Sequence, residues 1–147
     1  MTATDTSEKG LETLIMRHMT GVDGLAILPN TAAEARAPYG GTGYYAGCAQ
    51  DYDRAHALDV PQLFAFLRAT QPEAFKKLGM AKPNDDKDIN RLKFLARLSG
   101  EIGKRGVIDV LRKGVAHGPL HFDLFYGTPS PGNAKAERLH AENRFSI

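Results

Sequence analysis

Residues 120–126 decide the fold, and they read Leu-His-Phe-Asp-Leu-Phe-Tyr. Apolar side chains fill the first, third, fifth and seventh positions, and prolines follow at 129 and 131. Alternation with period two is typical of a strand with one face on the core. We therefore predict a strand over Leu120 to Tyr126.

Helical spacing dominates the chain before this strand. Apolar residues from Ile89 to Ile102 share one helix face, and a second apolar group leads to a glycine stop at Gly114. Glycines at 100, 103 and 106 predict a break into two helices. The residues expected to be buried beside the strand are Leu92, Leu95, Leu98, Val107, Ile108 and Leu111.

Capping patterns place the helices further upstream. Asp59 precedes Gln62 by three residues, and Thr70 stands in the same relation to Glu73, with Pro72 between them. These pairs predict two helices that meet at residues 70–72, the second ending at Gly79. Asp5 and Glu8 form another such pair and predict a first amphipathic helix that ends at Gly21.

The stretch from Gly21 to Tyr52 is rich in Gly, Pro, Ala and Asn. It predicts a long loop with at most a short strand at Leu25 to Leu28, and a loop of this length suggests a function or a partner. At the other end, Asn133 is expected to cap a helix through Ala141. Residues 144–147 then alternate as a strand begins.

These elements indicate an α+β fold, close to α/β, with several helices packed on a small, incomplete sheet. With 147 residues, 42% hydrophobic and 24% charged, the chain has the size of one domain, which we assign to 1–147. A net charge of +2 does not identify a nucleic-acid partner. One cysteine, no signal-peptide pattern and no run of ~20 apolar residues favour a cytoplasmic protein with no membrane partner.

Several residue groups invite a chemical interpretation that their spacing does not support. The glycines between Gly40 and Gly47 match neither nucleotide-binding pattern and favour a plain loop. His117, His121 and Asp123 resemble metal ligands, yet outward-facing polar side chains on a half-buried strand explain them. Cys48 has no Cys-x-x-Cys partner and reads as a small packed residue.

Asp85-Asp86-Lys87 spells the Asp-x-Lys of metal-dependent nucleases, but it stands at a predicted helix start, where acidic residues favour the helix dipole. We interpret it as capping. No Glu-x-Lys occurs in the chain.

Six stretches together resemble the N-terminal region of the restriction (R) subunit of type I restriction-modification enzymes. The most specific pieces are Phe-Leu-x-x-Thr-Gln-Pro, Leu-Arg-x-Gly and the closing Asn-Arg-Phe. The stretches are spread over most of the chain's length in the family's order, at residues 7–15, 51–59, 63–73, 110–114, 122–126 and 143–147.

This resemblance implies the start of a PD-(D/E)xK-type nuclease domain in an ATP-dependent subunit that translocates and cleaves DNA. The full protein would use Mg²⁺ and ATP, act on double-stranded DNA, and work with modification and specificity subunits. The family's catalytic Asp and Glu-x-Lys would follow Ile147, so we expect this segment alone to be inactive. Glu8 is the best match to an acidic residue of the first helix near the metal, and Glu12 is next; helix capping by Glu8 and solvation of Glu12 remain the plainer interpretations.

Two other readings stay open. One is a stand-alone interaction domain that uses its long loop and helices to bind a protein. The other is a small DNA-binding module that uses the cations of the two late helices, for which a solvated face is the default explanation.

Overall fold

The computed structural model describes residues 7–20, 44–45 and 47–146. Within these ranges the chain is a mixture of helices and very short strands. In chain order they are α1 (Glu8–Thr20), β1 (Tyr44–Tyr45), β2 (Tyr52–Asp53), β3 (Leu58–Asp59), α2 (Val60–Thr70), α3 (Pro72–Lys77), α4 (Ile89–Arg105), α5 (Val107–Lys113), β4 (Val115–His117), β5 (Leu120–Phe122), α6 (Ala134–Ala141) and β6 (Phe145–Ser146).

The described strands pair two by two rather than in one sheet. β1 pairs with β6 in parallel, β2 pairs with β3, and β4 pairs with β5 in antiparallel fashion. The chain divides into two compact units. One unit comprises Met1–Tyr52 and Arg144–Ile147, and the other comprises Asp53–Asn143.

Local capping chemistry sets the helix starts, as the sequence predicts. The carboxylate of Asp59 accepts a hydrogen bond from the Gln62 backbone N–H at 3.3 Å, and Asn133 Oδ1 accepts from the Ala136 N–H at 3.0 Å. Each bond satisfies an N–H that lacks a partner in the first helical turn. α5 ends at Gly114, whose φ of 70° is the left-handed conformation that suits glycine.

One predicted boundary is wrong in detail, and the predicted break into two helices is confirmed at Gly106, one of its three glycines. The N-cap of α3 is Gln71 rather than Thr70, because the Thr70 hydroxyl donates back to the Phe66 carbonyl at 2.8 Å. α4 also runs unbroken through Gly100 and Gly103, and the chain turns only at Gly106, where φ is 84°. Isolated glycines weaken a helix without ending it.

Only part of the apolar face predicted for α4 is buried in the structure. Leu95 and Leu98 are buried as expected, but Leu92 is 41% exposed. Val107 and Ile108 at the start of α5 are also exposed, so the prediction that they lie in the core is wrong. Among the described residues, the largest fully buried side chains are Phe64, Leu67, Phe94, Leu95, Leu98, Val110, Val115 and Phe122.

The decisive stretch keeps its predicted alternation. Burial alternates from Leu120 to Tyr126, although only the first three residues form a sheet strand. Its partner β4 was not predicted, because Val-Ala-His is too short to carry a periodicity. Val115 lies opposite Phe122 and His117 opposite Leu120.

Some predictions fall outside the described residues. They include Asp5 as a cap, the strand at Leu25 to Leu28, most of the loop from Gly21, and Ile147. In the part of the chain that is described, no helix is both long and apolar enough to cross a membrane.

Candidate functional site

Glu8 occupies the first position of α1, as the resemblance requires for an acidic residue of the first helix. Ser7 caps this helix through its Oγ, which accepts from the Gly10 N–H at 3.1 Å. Glu8 is exposed in the first turn, where the helix dipole favours negative charge. The helix start therefore does not need the Glu8 side chain for capping, which leaves its carboxylate facing solvent.

Glu12 lies one turn after Glu8 and is also exposed. Residues four apart share a helix face, so both carboxylates project from the same side of α1. Two like charges in this arrangement destabilise an isolated helix slightly. The pair supplies oxygen ligands of the type that Mg²⁺ prefers.

The unit that contains α1 also contains the final strand. Tyr44 is in register with Phe145 and Tyr45 with Ser146 in the parallel β1–β6 ladder, and α1 lies against β1. The helix that carries Glu8 and Glu12 and the Arg-Phe end of the closing motif are therefore parts of one compact unit.

Gln71 holds the backbone of the decisive stretch by two hydrogen bonds. Its Nε2 donates to the Asp123 carbonyl and its Oε1 accepts from the Asp123 N–H, both at 2.8 Å. A primary amide presents one donor and one acceptor side by side, so it replaces a strand neighbour at a single residue. The Thr-Gln-Pro motif thus extends the pairing of this stretch beyond β5.

The side-chain amide of Asn143 likewise pairs with both backbone polar groups of Tyr126. Asn143 Oδ1 accepts from the Tyr126 N–H at 3.0 Å, and Nδ2 donates to the Tyr126 carbonyl at 2.7 Å. His140 Nδ1 approaches that carbonyl at 2.9 Å. Asn143 is buried, so an unpaired amide here would be costly.

Gly114 of the Leu-Arg-x-Gly motif lies under the same stretch. A Cβ at this position would collide with the carbonyl oxygen of Phe122 and would come within 2.7 Å of His121 Nε2. The Phe122 ring in turn packs edge-on against Phe94 at 5.1 Å between centroids. The backbone of α5 can approach β5 this closely only where a side chain is missing.

The polar residues of β4 and β5 divide between the two faces of the hairpin. His121 Nε2 lies 3.3 Å from an Asp123 carboxylate oxygen on the exposed face, as their spacing predicts. His117 lies opposite Leu120 and packs edge-on against Phe94, at 5.7 Å between centroids. The three residues therefore do not converge on one point.

The phenol of Tyr126 has a raised pKa. Burial is the main cause of the higher pKa, and the neighbouring Asp123 carboxylate raises it further. The Tyr126 ring packs at 5.8 Å from that of Phe66, between centroids. The phenol consequently stays neutral at physiological pH and contributes to packing.

Asp85, Asp86 and Lys87 serve the turn before α4. Asp85 Oδ1 accepts from the Lys87 N–H at 2.9 Å, and Asp86 lies 3.3 Å from a guanidinium nitrogen of the buried Arg91. The N-cap of α4 is Asp88, whose oxygens accept from the Lys82 and Arg91 N–H groups. These backbone bonds, that from Lys82 first, lower the pKa of Asp88.

Arg105 ties the end of α4 to α5. It donates to Glu101, to Asp109 and to the Gly114 carbonyl, and Lys113 lies 2.8 Å from Asp109 on the other side. Hydrogen bonds from Lys113 and Arg105 lower the pKa of Asp109, and bonds to Asp109 and Glu101 raise the pKa of Arg105. This network holds the turn at Gly106, and it engages the nearby carboxylates of Glu101 and Asp109 in ion pairs.

Among the described residues, no three His, Cys, Asp or Glu side chains converge as metal ligands do. Cys48 is a half-buried free thiol. The roles of Gln71 and Asn143 were missed by sequence reasoning, since a polar amide in a short motif carries no period. Their position in the shared motifs was the available signal.

Comparison with protein-family models, with curated proteins and with solved structures finds no match for this chain.

Proposed function

We propose that this chain is the N-terminal segment of the ATP-dependent, DNA-translocating and DNA-cleaving subunit of a type I restriction-modification system. In that role it is a cytoplasmic component of a Mg²⁺-dependent phosphodiesterase. It opens a nuclease domain of the PD-(D/E)xK type, acts on double-stranded DNA, and works with modification and specificity subunits.

One observation carries the proposal: the motifs behind the family resemblance meet around a single stretch. Gln71 of Thr-Gln-Pro and Asn143 of Asn-Arg-Phe pair with the backbone of Asp123 and Tyr126. Gly114 of Leu-Arg-x-Gly lies against Phe122. Residues that are far apart in sequence thus act on one structural feature, which supports reading the motifs as a family signature rather than as chance matches.

A second observation supports the nuclease part of the proposal. α1 carries Glu8 and Glu12 on one exposed face, and it lies against β1, which pairs in parallel with β6. Parallel strands usually belong to larger sheets whose faces are covered by helices. A helix with two exposed carboxylates beside such strands suits an early part of a nuclease sheet.

The described residues do not form a binding site for either Mg²⁺ or ATP, the cofactors of the complete subunit. Two glutamates on α1 are too few for a Mg²⁺ site, since no third acidic or histidine ligand joins them among the described residues. The sequence has no phosphate-binding loop pattern for ATP. We therefore derive no catalytic step from these residues, and Glu8 is proposed only as a residue near the metal.

The test uses the complete subunit purified with its modification and specificity subunits. We expect it to hydrolyse ATP and to cut a circular plasmid that contains the recognition site when Mg²⁺ is present. The 147-residue chain alone should leave the plasmid and ATP intact. A complete protein that neither hydrolyses ATP nor cuts DNA contradicts the proposal.

A paired substitution addresses Glu8. Glu8→Ala in the complete subunit should lower the cleavage rate by about 10- to 100-fold, the usual effect of losing a residue that supports a metal site, and leave ATP hydrolysis unchanged. Glu73→Ala, at another exposed glutamate in the first turn of a helix, serves as the control. Equal cleavage by the two variants removes Glu8 from the site.

A further inference from the structure

The outward half of α4 carries a second apolar stripe that the core does not use. Ile89 is 67% exposed and Leu92 41% exposed, and Ala96, Gly100 and Gly103 continue on the same side. At about 100° per residue, these five positions fall within roughly 80° of arc, opposite the buried Phe94 and Leu98. A helix with apolar residues on both sides has a face left for another molecule.

The two glycines make this stripe shallow in its C-terminal part. A Cβ added at Gly100 or Gly103 would meet nothing within 4 Å. Glycine in a helix interior is less stable than alanine, and contacts within the described chain give no compensation here. This surface is raised by Ile89 and Leu92 at its N-terminal end and low at Gly100 and Gly103, where a second helix can cross closely.

Cations border the stripe along one side. Lys93, Arg97 and Lys104 occupy roughly the next 40° of arc, and all three are exposed. Lys93 and Lys104 lie about 16 Å apart along the axis, and neither forms an ion pair with a described residue, whereas Arg97 lies 3.5 Å from Glu101. Glu101 is the single acidic residue of α4 and pairs with both Arg97 and Arg105, so the stripe itself contains no carboxylate.

We propose that this surface, the outer face of α4, binds an amphipathic helix of another protein whose apolar stripe is flanked by Asp or Glu. The apolar and small residues receive the partner's apolar stripe, as in helix-in-groove recognition. Lys93 and Lys104 pair with its carboxylates and fix its orientation, because complementary charge at the edge of an interface selects the partner. Phosphates of duplex DNA would pair with Lys93 and Lys104, but Ile89 and Leu92 would stay exposed to water.

The experiment measures binding of the 147-residue chain to two fluorescent helical peptides of about 18 residues. Both have the same leucine and alanine stripe, flanked by glutamate in one and by lysine in the other. Fluorescence anisotropy at low salt should show the glutamate peptide binding at least about tenfold more tightly. The double variant Lys93→Glu, Lys104→Glu should reverse that preference, while Lys76→Glu, Lys77→Glu, with the same charge change on α3, should keep it.

Gly100→Leu separates binding from folding. Leucine favours helix more than glycine and has open space here, so this variant should unfold at the same or a higher denaturant concentration. It should nevertheless bind the glutamate peptide at least about tenfold more weakly, because leucine fills the shallow part of the stripe.

Four outcomes overturn the proposal. Equal binding of the two peptides, or unchanged binding by Gly100→Leu, removes the surface as a helix site. Loss of affinity for a duplex of about 20 base pairs in the Lys93→Glu, Lys104→Glu variant, without loss of peptide binding, assigns the face to DNA. A dimer in sedimentation that Gly100→Leu dissociates assigns it to a second copy of the chain.

Discussion

The side-chain amide of Gln71 is paired with both backbone polar groups of Asp123, at 2.8 Å for each bond, across 52 residues of sequence. The bond geometry matches one rung of a β-ladder, supplied by a side chain instead of a strand. This pairing holds α2 and α3 beside the extended stretch after β5. It also explains why alternation of burial continues to Tyr126 where sheet pairing has stopped.

Replacing Gln71 by glutamate should make stability depend on pH. At pH 7 the new carboxylate still accepts from the Asp123 N–H but faces the Asp123 carbonyl without a donor, at a cost of about 1 kcal/mol or more. This environment raises the folded-state pKa of the introduced carboxyl above the unfolded value of about 4.3, so the loss is present at neutral pH and is relieved as pH falls through the folded pKa.

Urea unfolding at pH 7 and pH 4 measures this effect relative to wild type. Gln50→Glu, at an exposed glutamine in a turn, is the control and should show no such difference. An equal destabilisation of Gln71→Glu at both pH values would mean that the donor to Asp123 has no energetic role.

Asn143→Asp and Asn133→Asp form a matched pair with opposite expectations. Asn143→Asp removes the donor that the buried Asn143 side chain supplies to the Tyr126 carbonyl and should cost about 1–3 kcal/mol at pH 7. Asn133 acts as an N-cap, a position where Asp and Asn perform alike, so Asn133→Asp should change stability by about 0.5 kcal/mol or less. Similar unfolding free energies for the two variants would contradict the assigned roles.

Caps and stops were predictable from sequence because their hydrogen bonds are local. Asp59, Asn133 and Gly114 each act within three or four residues of a helix end. The pairings of Gln71 and Asn143 span 52 and 17 residues, and no local rule contains them. The sequence therefore predicts where helices begin better than what holds them together.

The buried face of α4 was only partly predictable for a different reason. Ile89 and Leu92 share helical spacing with Leu95 and Leu98, and periodicity alone does not tell which of two adjacent apolar stripes faces the core. Phe94 decides the matter by packing against Phe122. For the candidate site, the position of Glu8 at the start of α1 follows from sequence, whereas its surroundings depend on residues distant in the chain.

Leu95→Ala and Leu92→Ala test this assignment on one helix. Leu95 is fully buried, so its truncation should cost about 2–5 kcal/mol. Leu92 is exposed, and its truncation should cost about 0.5 kcal/mol or less. Chemical denaturation of both variants gives the two values. A larger loss of unfolding free energy for Leu92→Ala would indicate that Leu92 lies on the buried face, as the sequence predicted.

Asp88 should contribute stability that disappears in acid. Backbone N–H groups of Lys82 and Arg91 lower the pKa of this carboxyl in the folded chain. A lowered folded pKa means that the contribution is present above the unfolded value of about 3.9 and is lost as pH falls through the folded pKa. Asp88→Asn should be less stable than wild type at pH 7, and the difference should shrink at pH 3.

Unfolding midpoints at pH 7, 5 and 3 measure the contribution of Asp88, with Glu73→Gln on α3 as a charge-matched control. If the difference in unfolding midpoint between Asp88→Asn and wild type stays constant down to pH 3, Asp88 stabilises the fold through its shape rather than through its charge.

Gly114→Ala and Gly118→Ala separate backbone conformation from close approach. Both glycines have positive φ, 70° and 59°, and an L side chain at such a position costs about 1–2 kcal/mol. At Gly118 the added methyl meets nothing within 4 Å, so that cost is the whole effect. At Gly114 the methyl collides with the Phe122 carbonyl and β5 must shift, which adds roughly 1–3 kcal/mol for overpacking.

Gly114→Ala should therefore be the less stable variant in urea unfolding and should weaken hydrogen-exchange protection in β4 and β5, since their ladder moves with Phe122. Equal losses for the two variants would show that the Leu-Arg-x-Gly motif needs its glycine for the turn alone.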